Sequence, residues 1–194
     1  MSFDRAAGLS AGTAPDMARS GILLRDSVEG DVAAVQDIYA VHVRHGTGSF
    51  EEHAPDQREV AERREAILAR SLPFLVAGHD DRVLGFAYAA PFRPRPAYRF
   101  TIEDSIYIHP DAIGQGLGRL LLSELIVRCE ALGYRQMVAV IGDSQNRRSI
   151  HLHETLGFFR AGTFTSVGFK FGRWLDAVFM QRALGESDST LPPG

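Results

Sequence analysis

Apolar positions along this chain follow two rhythms, one of about 2 residues and one of about 3.6, and each marks a different kind of element. Ile22–Arg25 is a short strand-like run. Across Ser27–His45, Val32, Val35, Ile38 and Val41 fall at helical spacing, with Ser27 or Asp31 as the cap, according to where the helix begins, and Gly46–Gly48 as the stop. Asp56–Ser71 reads as a second helix, charged enough that most of it faces water. Leu72–Ala77 and Arg82–Ala90 form a hairpin pattern across Asp80 and Asp81. A proline-rich elbow, Pro91 to Pro96, precedes a strand pattern over Tyr98–Ile108. The next helix runs to Leu132, with Leu117, Leu121, Leu125 and Cys129 on one face and Gly133 at its end. Met137–Ile141 is a strand, Asn146–Leu156 a helix that Gly157 terminates, and Phe158–Phe169 and Trp174–Arg182 are strands. Early helices, antiparallel strands and a single β-α-β crossover predict a mixed sheet in an α/β domain.

Between the strand ending at Ile108 and the following helix stand Gly114, Gly116 and Gly118. A glycine loop between a strand and a helix N-terminus is built for a polyanion. Its backbone approaches closely, its N–H groups turn inward, and the helix dipole adds partial positive charge. The expected anion is the pyrophosphate of a nucleotide-bearing cofactor. A dinucleotide fold is one reading, with Asp143 as the ribose-binding acid, but it needs repeated crossovers and this chain has one. A glycine-rich connection without a ligand is the other alternative.

Composition narrows the class. With 194 residues, 45% hydrophobic and 23% charged, and a formal net charge of −3, the chain suits one globular domain and has no basic stripe for nucleic acid. No apolar run is long enough to cross a bilayer. Cys129 is the only cysteine, which excludes a disulfide framework and fits a reducing cytoplasm. Residues 1–20, rich in Ala, Gly and Ser, are expected to be a flexible leader, 21–184 a single domain and 185–194 a flexible tail.

Several motifs then coincide. The stretch from Glu103 to Leu122, the block Asn146-Arg-Arg-Ser-Ile-His-Leu-His-Glu-Thr-Leu-Gly-Phe158 and the order of elements resemble the GNAT superfamily of N-acetyltransferases, over roughly Ile22–Arg182. Thr101-Ile-Glu103, Ala139-Val-Ile-Gly142 and Gly168-Phe-Lys-Phe-Gly-Arg-Trp-Leu-Asp176 resemble its phosphinothricin and methionine-sulfoximine branch. The resemblance implies a GNAT-type acyl-CoA N-acyltransferase fold, a mixed, mainly antiparallel sheet flanked by helices, with acetyl-CoA as cosubstrate. It places the cofactor on Ile106, Tyr107 and Ile108 of the strand, on Ile113, Gly114, Gln115, Gly116, Leu117, Gly118 and Arg119 of the loop and helix start, and on Asn146 and Ser149. One departure stands out: the superfamily loop usually begins with Arg or Gln where this chain has Ile113, which predicts a less rigid loop.

Direct transfer of an acetyl group to an amine needs a base for the amine proton, a donor toward the thioester oxygen, an acid for the leaving thiolate and reactants held together. Alternation puts Thr101, Glu103, Ser105 and Tyr107 on one strand face and Ile102, Asp104, Ile106 and Ile108 on the other. Glu103 is therefore the candidate base, in keeping with the branch resembled; the alternative is a solvated or salt-bridged sheet glutamate. Asp104 is the weaker candidate. His153 occupies the position where the superfamily commonly has the tyrosine that protonates the sulfur, and is the candidate acid; the alternative is a surface histidine stacked on Phe158 or Phe159. His151 lies about 200° around the helix from His153, so the two cannot grip one metal. His42 and His45 have a metal-compatible spacing without an evident third ligand, so no metal is assigned.

An amino acid acceptor carries a carboxylate, for which guanidinium is the fitting partner. Arg93, Arg95 and Arg99 cluster before the Glu103 strand, Arg99 sharing the face of Glu103 by alternation or else simply pairing with it, and Phe50 and Tyr98 are candidate pocket walls. The expected acceptor is a small-molecule amine such as phosphinothricin, methionine sulfoximine or methionine sulfone. A protein N-terminus, a polyamine, or a non-catalytic acyl-CoA-binding module are the rival readings. No nucleic-acid or membrane partner is expected; the resemblance adds an expected homodimer.

Overall fold

The computed structural model describes residues 21–79 and 82–192. Its strands are β1 (Ile22–Asp26), β2 (Phe74–His79), β3 (Arg82–Pro91), β4 (Thr101–Ile108), β5 (Gln136–Gly142), β6 (Phe159–Lys170) and β7 (Arg173–Ala183). They form one seven-stranded sheet in the order β1-β2-β3-β4-β5-β7-β6. Only β4 and β5 are parallel; every other neighbouring pair is antiparallel. The mixed α/β sheet expected from the sequence is therefore the observed one.

Four helices cover the sheet: α1 (Val32–His45), α2 (Gln57–Leu68), α3 (Leu117–Ala131) and α4 (Arg147–Thr155). The predicted face of α3 is the buried one, with Leu117, Leu121, Leu125 and Cys129 all in the core. They pack with Ile102, Met137, Val178 and Met180 from the sheet, burying apolar area that each such helix needs to hold its place. Gly133 and Gly157 follow α3 and α4 with φ near +83°, a backbone that side chains resist, so each ends its helix where the sequence indicated.

Two expectations change. Neither Ser27 nor Asp31 caps α1 through its side chain: the Asp31 carboxylate accepts from the Val28 N–H and from Arg25, and the Ser27 hydroxyl accepts from Arg64. Strand β4 begins at Thr101 rather than Tyr98, because Pro96–Tyr98 form a 3-10 turn and Arg99 continues in helical conformation. The segment after Gly185 turns back onto the sheet through Ser187, whose hydroxyl accepts from Gln136 at 2.7 Å and whose carbonyl accepts from Arg135 at 3.4 Å. The expected leader at residues 1–20 lies outside the described residues.

Candidate active site

The parallel pair β4–β5 opens into a wedge. Pairing runs from Thr101 with Gln136 to Asp104 with Ala139 and no further, although β4 continues to Ile108 and β5 to Gly142. Beyond that point β4 stays paired to β3, and β5 stays paired to β7. Ile106, Tyr107 and Ile108 thus line one lip and Val140, Ile141 and Gly142 the other, with backbone groups facing a gap that a polar chain such as pantetheine can fill.

At the mouth of the wedge sits the glycine loop. Gly114 and Gly116 have φ of +84° and +83°, and Gly114 would meet nothing within 4 Å if it carried a Cβ. Gly116 is the N-cap of α3, and its carbonyl accepts from Leu120 at 3.1 Å. The N–H groups of Leu117, Gly118 and Arg119, in the first turn, have no acceptor within the helix. A Cβ at Gly118 would come 3.1 Å from Leu152 of α4, so this glycine allows α3 and α4 to close around the mouth. Two hydrogen bonds brace the loop around Ile113. Gln115 Nε2 donates to the Asp111 carbonyl at 2.9 Å, and Ile113 N–H donates to the Pro110 carbonyl at 3.3 Å. Ile113 itself is exposed and Arg119 faces solvent. These residues fit a pyrophosphate: open backbone donors, a helix start and room for anionic oxygens.

Across the opening, Asn146 caps α4 as expected, its side-chain oxygen accepting from the Ser149 N–H at 3.3 Å. A tight loop of residues 46–50 overlies the end of β5: Gly142 touches the Thr47 carbonyl so closely that a Cβ there would overlap it. Phe50, 40% exposed, lies directly on Gly168 of β6. Lys170, also on β6, is 2% exposed and donates from Nζ to the carbonyls of Gly46 at 2.9 Å and Ser49 at 2.7 Å. The loop is therefore fastened from beneath by a residue more than a hundred positions away in the chain.

Glu103 stands on the β4 face turned toward α1, with Tyr107 four positions on. Tyr107 meets Tyr39 edge-on at 4.8 Å and His42 at 5.3 Å, while the Tyr39 hydroxyl bonds Ser49 at 3.0 Å. Burial raises the proton affinity of the Glu103 carboxyl above the ordinary 4.5, and the neighbouring Asp104 adds to the rise, while Arg93 opposes it. A carboxylate poised in this direction suits proton acceptance near neutral pH. His42 is occupied otherwise: its Nε2 contacts the Ile108 carbonyl at 2.8 Å.

His153 is no surface histidine. It is 1% exposed, edge-on to Phe158 at 4.9 Å, with Nδ1 2.7 Å from the Ser149 carbonyl and Nε2 3.1 Å from Asp104 Oδ2. Burial alone would lower its proton affinity, but the Asp104 bond and charge and the Ser149 carbonyl outweigh that, and the net shift is upward from 6.5. Sequence reasoning ranked Asp104 as an inferior base and missed it as the partner of His153. Its position on the core face of β4 was the available signal.

The arginines separate. Arg93 lies over the Phe92 ring at 4.6 Å and is near enough to Glu103 to act on its charge. Arg95 is exposed at the start of the 3-10 turn, and Tyr98, also exposed, meets Phe92 edge-on at 5.8 Å. Arg99 does not share the face of Glu103, since the turn breaks the alternation that argued for it. Its guanidinium covers Phe100 at 4.6 Å and borders a separate groove of about 370 Å³ with Arg70, Leu132 and Tyr134.

A parallel strand pair that parts beside a glycine loop, with a half-buried carboxylate just before the point of parting, suits an acyl carrier beside a polar acceptor. The chain belongs to the acetyltransferase (GNAT) family, whose sequence profile it matches over residues 35–158. It is 54% identical over 177 residues to the phosphinothricin N-acetyltransferase of Alcaligenes faecalis, covering 91% of this chain and 90% of that one. It is 39% identical to the L-methionine sulfoximine/L-methionine sulfone acetyltransferase of Salmonella typhimurium, over 84% of this chain and 95% of the relative. The crystal structure of a phosphinothricin acetyltransferase from Sinorhizobium meliloti in complex with AcCoA superposes with a TM-score of 0.85 at 48% identity, covering 89% of this chain and 93% of that one. Among the described residues no helix is long and apolar enough to cross a membrane.

Proposed function

We propose that this protein transfers the acetyl group of acetyl-CoA directly to the amino group of a small amino acid analogue of the phosphinothricin, methionine sulfoximine or methionine sulfone type. The observation that carries this reading is Glu103, a carboxylate with raised proton affinity on β4 one residue before the β4–β5 pair ends. The relatives named above act on acceptors of this type, which supports the choice of substrate.

Bound acetyl-CoA supplies the activated acyl group as a thioester. The N–H groups of the Gly114–Arg119 segment hold the pyrophosphate, and backbone groups of Ile106–Ile108 and of Val140 and Ile141 hold the pantetheine arm, with Asn146 and Ser149 at its side. Glu103 takes one proton from the acceptor ammonium, directly or through water, leaving the amine lone pair free to attack. His153, its ring nitrogens held by Ser149 and Asp104, returns one proton to the departing sulfur through water, and the second proton shed by the attacking nitrogen as the amide forms replaces it. Arg93 and Arg95 pair with the acceptor carboxylate, and Phe50 and Tyr98 wall the pocket. Residues 21–184 act as one catalytic domain.

The protein works as a cytoplasmic homodimer. Phe164, Val167, Phe169, Phe171 and Trp174 are all exposed on the β6–β7 hairpin, and large apolar side chains gathered on one hairpin support a second copy there. Sedimentation across a concentration range tests the dimer.

Thiol release from acetyl-CoA tests the activity, with phosphinothricin, methionine sulfoximine, methionine sulfone, spermidine and a short peptide as acceptors. Rapid release with the first three alone is the expected result. Release with only the peptide or spermidine discards the substrate assignment, and silence with acetyl-CoA still bound discards the enzyme.

A further inference from the structure

Asp104 is 6% exposed on the core face of β4, where an ionised carboxylate is costly unless it is paired. Its Oδ2 meets His153 Nε2 at 3.1 Å, and its Oδ1 is buried without a hydrogen-bond partner among the described residues. The bond joins β4 to α4, 49 positions along the chain.

The proton count follows from the partners. A peptide carbonyl only accepts, so Nδ1, 2.7 Å from the Ser149 carbonyl, carries hydrogen. Nε2 faces a carboxylate oxygen, and two lone pairs at that distance would repel. A proton therefore lies between them. The pair is either imidazolium with carboxylate or imidazole with carboxylic acid, and in both forms it is neutral overall, as its burial demands.

We propose that Asp104 is a positioning residue for the transfer reaction: it locks the plane of the His153 ring against β4 and keeps a proton at Nε2. Asp104 also stands next to Glu103 in the strand, on the opposite face. One carboxylate thus holds the acid in its protonated form on one side and raises the base on the other. This rests on the reading of His153 as the acid.

Other titratable and charged groups surround the pair. Cys129 on α3 faces Asp104, and burial pushes its thiol up to about 12, so it stays neutral. Arg182 of β7 donates to the Leu156 carbonyl of α4 and lies 3.6 Å from Glu130 of α3. Glu103 is the remaining neighbour, across the strand.

The test is direct observation of the His153 ring by 15N NMR in the intact protein, together with pH–rate profiles of Asp104→Asn. In the unaltered protein His153 is expected to show both nitrogens protonated at a pH where a free imidazole has lost one proton. A ring protonated only at Nδ1 there overturns the proposal, and this reading needs no variant to fold. In Asp104→Asn both limbs of the kcat profile are expected to move to lower pH, with the KM for acetyl-CoA within about twofold. A purely structural role would lower kcat and thermal stability and leave both limbs in place, which also overturns it. His153→Gln separates the two claims. Wild-type turnover in that variant removes the acid assignment, while the ring spectrum still decides the pairing.

Discussion

The ring of Phe50 packs against the backbone of Gly168, close enough that any side chain at position 168 would overlap it. Phe50 belongs to the loop that overhangs the wedge and Gly168 to β6, so the C-terminal hairpin sets where the loop stops. Gly168→Ala pushes the ring outward. Because Phe50 is partly exposed and its ring can swing away, the stability cost is expected to be about 1 kcal/mol, at the low end for overpacking. The KM for the amino acid acceptor is expected to rise several-fold with kcat less affected. Steady-state kinetics at saturating acetyl-CoA check this; an unchanged KM removes Phe50 from the pocket wall.

Lys170 fastens the same loop. Replacing it with Met keeps the buried stem but leaves the Gly46 and Ser49 carbonyls without their donor. Each buried acceptor left unsatisfied costs about 1–3 kcal/mol. Lys170→Met is expected to lose stability in that range in denaturant unfolding and to weaken acceptor binding. Wild-type stability would mean that water replaces the ammonium freely.

Arg93 opposes the upward shift of Glu103, so its removal carries a definite sign. In Arg93→Met the Glu103 carboxyl holds its proton to higher pH, and the acid limb of kcat/KM moves to higher pH. Arg93→Lys keeps the charge and should leave the limb near its original place. Loss of a charged contact to the acceptor carboxylate also costs about 1.5–3 kcal/mol, which appears as a higher KM in the Met variant. A limb that stays fixed in Arg93→Met contradicts the electrostatic link.

What the sequence disclosed and what it concealed divide by range. The buried face of α3, the stops at Gly133 and Gly157, the Asn146 cap and the glycine loop all rest on residues within a few turns of each other, where spacing is a direct record of geometry. The start of β4 was misplaced because Pro96 permits a helical turn that apolar alternation does not reveal, and Arg99 was misassigned with it. Pairing of Asp104 with His153, and of Lys170 with Ser49, spans long stretches of chain and leaves no local periodicity. A buried charge announces itself only when its partner comes from elsewhere in the fold. Gln115 shows the same limit on a smaller scale: its bond to the Asp111 carbonyl leaves no mark in the local pattern.

The central claim is tested most directly by kcat/KM for phosphinothricin as a function of pH in the unaltered protein and in Glu103→Gln, with acetyl-CoA binding measured alongside. The unaltered protein is expected to show an acid limb above the ordinary 4.5 of a glutamate, because burial and Asp104 both disfavour the charged form. Glu103→Gln should bind acetyl-CoA normally, lose that limb and turn over about 10²–10⁴ times more slowly, the usual contribution of a positioned base. Nearly normal turnover in the Gln variant, with the acid limb intact, would contradict the account.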